Sequence, residues 1–254
     1  MTPPLVVGNW KMNGSQSDSR ELAGTIATGL NSTPTSTHIV VAPPFTALAT
    51  VGMVLRGSKI QLAAQNCHWQ LNGAFTGEVS PSMLVELGCG FVIVGHSERR
   101  HIFHETDEMV AQKITAATAQ GMRPILCVGE TLAERQTQQT FQIVEDQLKS
   151  GLKGLDNGAI DTIEIAYEPV WAIGTGQNAT PQQIHEVHAR IRQFLSVSFG
   201  QSKADRARIL YGGSVKPDNA GTIAEITDVN GLLVGGASLQ AESFLAIIRA
   251  FSDR

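Results

Sequence analysis

Three side chains in this sequence are suited to moving a proton: a carboxylate at the end of an apolar run, an imidazole at the start of a helical turn, and a lysine beside an asparagine. Glu168 follows Ile163, Ile165 and Tyr167, an alternation of β type, and leads directly into Pro169-Val170-Trp171-Ala172-Ile173-Gly174-Thr175-Gly176. Proline fixes φ at one end of that loop and the glycines free the backbone at the other. Trp171 and Ile173 are costly on an exposed loop unless they cover something, so the segment reads as a hinged lid. Beneath such a cover a partly desolvated Glu168 would have its charged form disfavoured, and would become basic enough to take a proton from carbon.

His96 emerges from Phe91-Val92-Ile93-Val94-Gly95 and precedes Ser97-Glu98-Arg99-Arg100, which looks like the first turn of a helix. The amino end of a helix disfavours imidazolium, and a neutral ring can still donate a hydrogen bond to a carbonyl oxygen. Lys11 has two readings, a fixed cation for an anionic substrate or a nucleophile that forms a Schiff base. The charge reading is favoured, because nothing nearby in sequence promises an apolar pocket. Tyr211-Gly212-Gly213-Ser214 and Leu233-Val234-Gly235-Gly236-Ala237 each place bare backbone after a strand, where N–H groups can approach an anion such as phosphate.

Other chemistries find less support. Gly174-Thr175-Gly176-Gln177-Asn178-Ala179 resembles a dinucleotide fingerprint, but Pro169 separates it from its strand and no acidic residue stands about 20 positions on, so a nicotinamide cofactor is rejected. The pairs His101/His104 and His185/His188 have i,i+3 spacing without a companion ligand set, and no metal site is expected. Cys67, Cys89 and Cys127 are too few and too scattered for a disulfide framework, which points to a reducing, cytoplasmic setting; Cys127 is expected only to pack beneath the mouth. A net charge of -4 leaves no footprint for nucleic acid, and neither a secretion leader nor a membrane span is evident.

The elements that would position these groups follow from periodicity. Runs at Leu5-Val7, His38-Ala42, Ile60-Ala64, Phe91-Val94, Pro124-Val128, Thr162-Tyr167, Arg208-Tyr211 and Gly231-Val234 are nearly continuously apolar, as in parallel strands buried on both faces. Between them lie helical patterns. The clearest begins at Thr180-Pro181-Gln182-Gln183 and places Ile184, Val187, Ile191 and Leu195 on one face; others run through Thr106-Gln120, Thr131-Leu152 and Leu239-Phe251. Shorter pieces lie near Arg20-Leu30, Phe45-Leu55, Pro81-Leu87 and Pro217-Ile226. Eight βα pairs in 254 residues, 42% of them hydrophobic and 25 of them glycine, fit a closed (β/α)8 TIM barrel. One domain is expected over residues 1-254. The long connection Asn66-Val79 should protrude and bind something. Active sites of such barrels form at the carboxyl ends of the strands, where Asn9, Lys11, His96, Glu168 and the two glycine pairs would converge.

Gly8-Asn9-Trp10-Lys11-Met12-Asn13, Gly95-His96-Ser97-Glu98-Arg99-Arg100, Ala166 through Gly176, Tyr211-Gly212-Gly213-Ser214-Val215 and Leu233 through Leu239 occur in the order, and at the five strand ends, that resemble the triosephosphate isomerase family. That family is itself a standard example of a glutamate base, a neutral histidine and a closing loop. The resemblance implies reversible, cofactor-free interconversion of dihydroxyacetone phosphate and D-glyceraldehyde 3-phosphate through an enediolate. It implies that Glu168 shuttles the proton, His96 polarises the substrate oxygens, and Lys11 with Asn9 stabilises the intermediate, with Glu98 and Ser97 in support. It further implies that Gly174, Ser214, Gly235 and Gly236 bind phosphate. The Asn66-Val79 loop would enter a second subunit of a homodimer, with Thr76 and Glu78 at that interface and Arg99 bracing it. The chain departs from the family pattern at Gln177-Asn178-Ala179, where many relatives carry lysine, and in the glutamine-rich Arg135-Thr140, which is expected to lie away from the chemistry. Two rivals remain: a Schiff-base aldolase acting through Lys11, and a phosphometabolite-binding protein without turnover.

Overall fold

The computed structural model describes residues 2–31, 35–155, 158–173 and 177–252. Eight strands, β1 (Leu5–Asn9), β2 (His38–Ala42), β3 (Ile60–Ala64), β4 (Cys89–Val94), β5 (Arg123–Val128), β6 (Glu164–Tyr167), β7 (Ile209–Tyr211) and β8 (Gly231–Val234), pair in sequence order, all parallel. β8 returns to β1 through Val7↔Leu233, so the sheet closes on itself and has no edge. This is the closed eight-stranded barrel surrounded by helices that the alternation of elements predicts.

Period-two geometry then decides which residues fill it. Leu5, Val7, Val40, Phe91, Ile93, Ile125, Cys127, Ala166, Leu210 and Leu233 belong to the inner cluster, while Val6, Ile39, Val41, Val92 and Leu126 face the helices. The same parity carried one step beyond the apolar layers sets the chemistry of both ends. At the amino end it brings together Arg123, Glu164 and Arg208, where Glu164 accepts from Arg123 at 2.6 Å and from Arg208 at 2.5 Å, a paired plug for the barrel floor. At the carboxyl end it aligns Asn9, Cys127, Glu168, Gly212 and Gly235 around the mouth.

Helix Pro181–Phe199 starts as its sequence dictates, with Thr180 Oγ1 accepting the Gln183 N–H at 3.2 Å and Gln183 Oε1 accepting the Thr180 N–H at 2.9 Å. One expectation is corrected. The pattern through Thr131-Leu152 is not one helix but two, Leu132–Gln136 and Thr140–Gly151. Gln138 between them has φ of 59°, a left-handed residue that ends the first helix locally, and periodicity alone does not register such a break. The Asn66-Val79 connection has neither helix nor strand, and Leu71 through Glu78 are exposed. Gly73 and Gly77 take φ of 139° and 93°, and the His68 ring is 4.1 Å from Trp69 and 4.4 Å from Phe75, which props the protruding loop from within.

The mouth is tight between β5 and β6. A Cβ added to Gly129 would stand 1.8 Å from the Glu168 carbonyl oxygen, a backbone atom that cannot yield without parting the two strands. Gly129→Ala is therefore expected to cost at least about 1–3 kcal/mol, the usual range for overpacking. Thermal unfolding of the purified variant measures it, and an unchanged midpoint would contradict this close approach.

Candidate active site

Glu168 is the first residue after β6 and is 2% exposed. Its backbone N–H donates to Val128 O at 2.8 Å, which fixes the turn, and its side chain is gripped on every side. Oε2 accepts the Ser97 N–H at 2.8 Å, and Oε1 lies 2.9 Å from His96 Nε2. The Cys127 thiol beneath is wholly buried, and burial, with the Glu168 charge beside it, pushes that thiol well above its ordinary pKa, so it stays protonated. Gly212 makes room on the remaining side, since a Cβ there would sit 3.0 Å from Glu168 Cγ. Burial works against the carboxylate, but the hydrogen bond from His96 Nε2–H, the Ser97 N–H and the Lys11 ammonium outweigh it and hold the Glu168 pKa below its ordinary value. This reverses the sequence expectation of a raised pKa in the resting protein, because desolvation was foreseen and the hydrogen bonds from a neighbouring loop were not.

The His96 ring can be assigned a tautomer. Nδ1 accepts the Glu98 N–H at 3.2 Å, so it carries no proton, and the ring's hydrogen resides on Nε2, aimed at Glu168. Burial disfavours imidazolium, while the carboxylates of Glu168 and Glu98 favour it and raise the pKa of the ring overall. A second proton would have to displace the helix N–H from Nδ1. That cost keeps the resting ring a neutral Nε2–H donor facing the cleft.

Lys11 has φ of 53°, a left-handed conformation unusual for a side chain of its size. The strain is held by the surrounding bonds: its N–H donates to Asn9 Oδ1 at 3.1 Å, and Gln65 Nε2 donates to its carbonyl and to Ala42 O, each at 2.8 Å. So turned, the side chain crosses the mouth. Nζ pairs with Glu98 Oε1 at 2.5 Å, and Cε lies 3.5 Å from where a Gly235 Cβ would be, so the ammonium stands between the His96 side and the β8 loop. An ion-paired ammonium favours the charge reading of Lys11 over the nucleophile.

Asn9, Lys11, His96, Glu168, Ile173, Gly212, Gly213, Ser214, Gly235 and Gly236 all line one cleft of about 730 Å³. The two glycine pairs serve different needs. Gly213 is bare because a Cβ would collide with the Tyr211 hydroxyl at 2.2 Å, whereas a Cβ on Gly236 would meet nothing within 4 Å, leaving that backbone open to the cleft. Gly174, expected on the lid, lies outside the described residues.

The amino end of the expected lid segment rests on a buried carboxylate that sequence inspection missed. Glu130, 0% exposed, accepts from Trp171 Nε1 at 2.9 Å, from Arg135 Nη1 at 2.9 Å and from the Tyr167 hydroxyl at 3.2 Å. The Arg135 guanidinium also lies 4.9 Å from the centre of the Trp171 ring. Arg135, in the segment expected to lie away from the chemistry, thus contacts Trp171 of the expected lid and its buried carboxylate. On the β7 side of the mouth, burial pushes the Tyr211 phenol up to about 12. Glu130→Ala leaves three donors facing an empty space and is expected to destabilise the fold by about 3–5 kcal/mol, the usual consequence of halving a buried pair. Denaturant unfolding tests this; a loss under about 1 kcal/mol would show that the cluster is solvated.

Of the other expected residues, Thr76 and Glu78 are exposed on the protruding loop, and neither lines the cleft. Arg99 reaches that loop only in relay: it pairs with Glu105, which also pairs with Lys113, whose Nζ donates to Asn66 Oδ1 at 2.9 Å. His101, His104 and His185 are exposed while His188 is buried against Tyr167, so neither histidine pair converges. Among the described residues no group of three or more His, Cys, Asp or Glu side chains is placed to hold a metal ion, and no helix is long and apolar enough to cross a membrane.

A closed parallel barrel with a carboxylate, a neutral imidazole and an ammonium facing glycine-rich loops across one mouth defines a TIM-barrel enzyme built for acid–base work on a small anion. The family model for triosephosphate isomerase matches residues 4–251, and the chain belongs to that family of isomerases. It is 50% identical to the triosephosphate isomerase of Chlorobium phaeobacteroides over 98% of this chain and 99% of the relative. It is 49% identical to that of Aquifex aeolicus, covering 97% and 99%, and 47% identical to that of Syntrophotalea carbinolica, covering 98% of each.

Proposed function

We propose that this protein interconverts dihydroxyacetone phosphate and D-glyceraldehyde 3-phosphate by proton transfer through an enediolate, with Glu168 as the base. The supporting observation is the 2.9 Å approach of His96 Nε2 to Glu168 Oε1 inside the cleft that Lys11 and the β7 and β8 glycine loops also line. Glu168 takes a proton from C1 of the ketone as the C1–C2 double bond forms and the electron pair moves to the C2 oxygen; a proton passes from the C1 hydroxyl to the C2 oxygen on the His96 side, and the same carboxyl returns its proton to C2 as the C1–O double bond forms. His96 Nε2–H, Lys11 and Asn9 stabilise the oxygens as charge gathers on them. Backbone N–H groups of Gly174, Ser214, Gly235 and Gly236 receive the phosphate.

To reach the substrate, Glu168 has to leave the Ser97 N–H and surrender His96 to the substrate oxygens. The His96 and Ser97 hydrogen bonds that hold its pKa down are then removed, and of what remains burial, which raises it, exceeds the Lys11 charge, which lowers it. The carboxylate therefore becomes a stronger base as the site fills. A closed lid also denies water to an enediolate that could otherwise expel phosphate.

We infer that the working form is a cytoplasmic homodimer. Met12, Phe45, Phe75, Ile102 and Phe103, on connections following β1 to β4, are exposed apolar side chains gathered on one half of the mouth, and the Thr76–Glu78 tip protrudes among these connections. Sedimentation equilibrium is expected to give twice 27.1 kDa, and Thr76→Arg to shift the mass toward the single-chain value on dilution. A mass unchanged by that substitution would remove the loop from the interface. The reaction itself is tested by a coupled isomerisation assay together with exchange of the substrate's transferable proton with solvent. Borohydride trapping of a Lys11 adduct would favour the aldolase instead, and 2-phosphoglycolate binding without exchange would favour a silent binding protein.

A further inference from the structure

The β4–β5 ladder stops just before the chain reaches His96. Its rungs run from Phe91↔Arg123 to Val94↔Leu126, and the same register carried one step further would set Gly95 against Cys127. Gly95 instead turns away with φ of 70°, and the Gly95 and Cys127 carbonyls are left beyond the last rung. The Arg100 side chain takes both. Nε donates to Gly95 O at 2.7 Å and Nη2 to Cys127 O at 3.3 Å, while Nη1 pairs with Asp107 at the start of helix Asp107–Ala119. The side chain is 9% exposed, and the glycine is bare for its sake, since a Cβ on Gly95 would lie 2.9 Å from Nη2.

The backbone of the same residue completes the hold. The Arg100 N–H donates to His96 O at 3.1 Å. One arginine thus fixes the carbonyls of both peptide planes that meet at the His96 α-carbon, and with them its φ of -52° and ψ of 142°. A planar fork of donors in fixed geometry suits this task, because it can hold two strand ends at a set separation. Arg100 itself does not line the cleft. We propose that Arg100 is a positioning residue for His96, setting the direction in which Nε2–H points at Glu168 and at the substrate oxygens.

The consequence for rate rests on the isomerase reading, so two readouts are taken from the intact protein. Arg100→Lys keeps the positive charge but loses the fork, and is expected to lower kcat about 10²-fold, the scale of a catalytic group displaced by about 1 Å, with KM little changed. In a proton–nitrogen correlation spectrum of the folded variant, the His96 Nε2–H resonance, from one of seven histidine rings, should move from its place in the unsubstituted protein. A resonance that stays in place, or an unchanged kcat, overturns the proposal and leaves the isomerase reading standing. If the unsubstituted protein turns nothing over, that reading fails and the resonance alone decides for Arg100. Should Arg100→Lys not fold, Asp107→Asn decides instead. It loosens the outer bond on the guanidinium, and should move the same resonance and lower kcat about fivefold, the equivalent of one ordinary hydrogen bond. An unaltered spectrum or rate in that variant refutes the role.

Discussion

Glu168→Gln is expected to lower kcat by about 10²- to 10⁴-fold, the contribution of a positioned general base, while leaving the fold intact. The amide oxygen can still accept the Ser97 N–H that now lies 2.8 Å from Oε2, and the isosteric side chain still fits beside Gly212. Because the folded surroundings hold the Glu168 pKa below its ordinary value, losing the charge should lower the unfolding midpoint modestly without preventing folding. The amide nitrogen, however, would face His96 Nε2–H, donor against donor, in place of the present 2.9 Å contact. The His96 ring resonances should therefore move even though the barrel does not. Wild-type turnover in the purified variant would refute the base assignment, and a collapsed fold would show that the carboxylate is structural.

Lys11→Met is expected to cost about 10²- to 10³-fold in kcat, the range for removing one preorganised electrostatic donor, and to raise KM as well. The ammonium stands between Glu98 and the Gly235 backbone, close both to the oxygens on which charge would develop and to the phosphate end of the cleft. Its loss therefore falls on ground state and transition state together. Methionine keeps the stem that packs across the mouth, and Glu98, half exposed, can return to water, so stability should change by less than about 1 kcal/mol. Steady-state kinetics at constant ionic strength separate the two parameters. A higher KM with kcat untouched would confine Lys11 to binding.

Much of this architecture was legible along the chain because it rests on periodicities. Apolar runs such as His38-Ala42 and Gly231-Val234 fix strands buried on both faces, and the Thr180/Gln183 cap and the Ile184, Val187, Ile191, Leu195 stripe fix a helix against them. Glu168, His96, Lys11 and the glycine pairs could be picked out because strand ends are where such a barrel keeps its chemistry. Gly212 and Gly213 could be read as bare backbone for an anion, yet their neighbours show why those glycines must be bare: Glu168 Cγ and the Tyr211 hydroxyl occupy the space a Cβ would need.

The order of strands, the two faces of each and the chain's chemical inventory were thus determined by local pattern alone, since a period of two or of 3.6 is a property of neighbours in sequence. Closure of the sheet decided the rest. It brought the Ser97 N–H to Glu168 across 71 positions, set Glu130 beneath Trp171 across 41, and carried Lys11 to Glu98 across 87. Those contacts determine which way a pKa moves, which tautomer a ring adopts and what a lid rests on. They depend on distances through space that no spacing along the chain encodes.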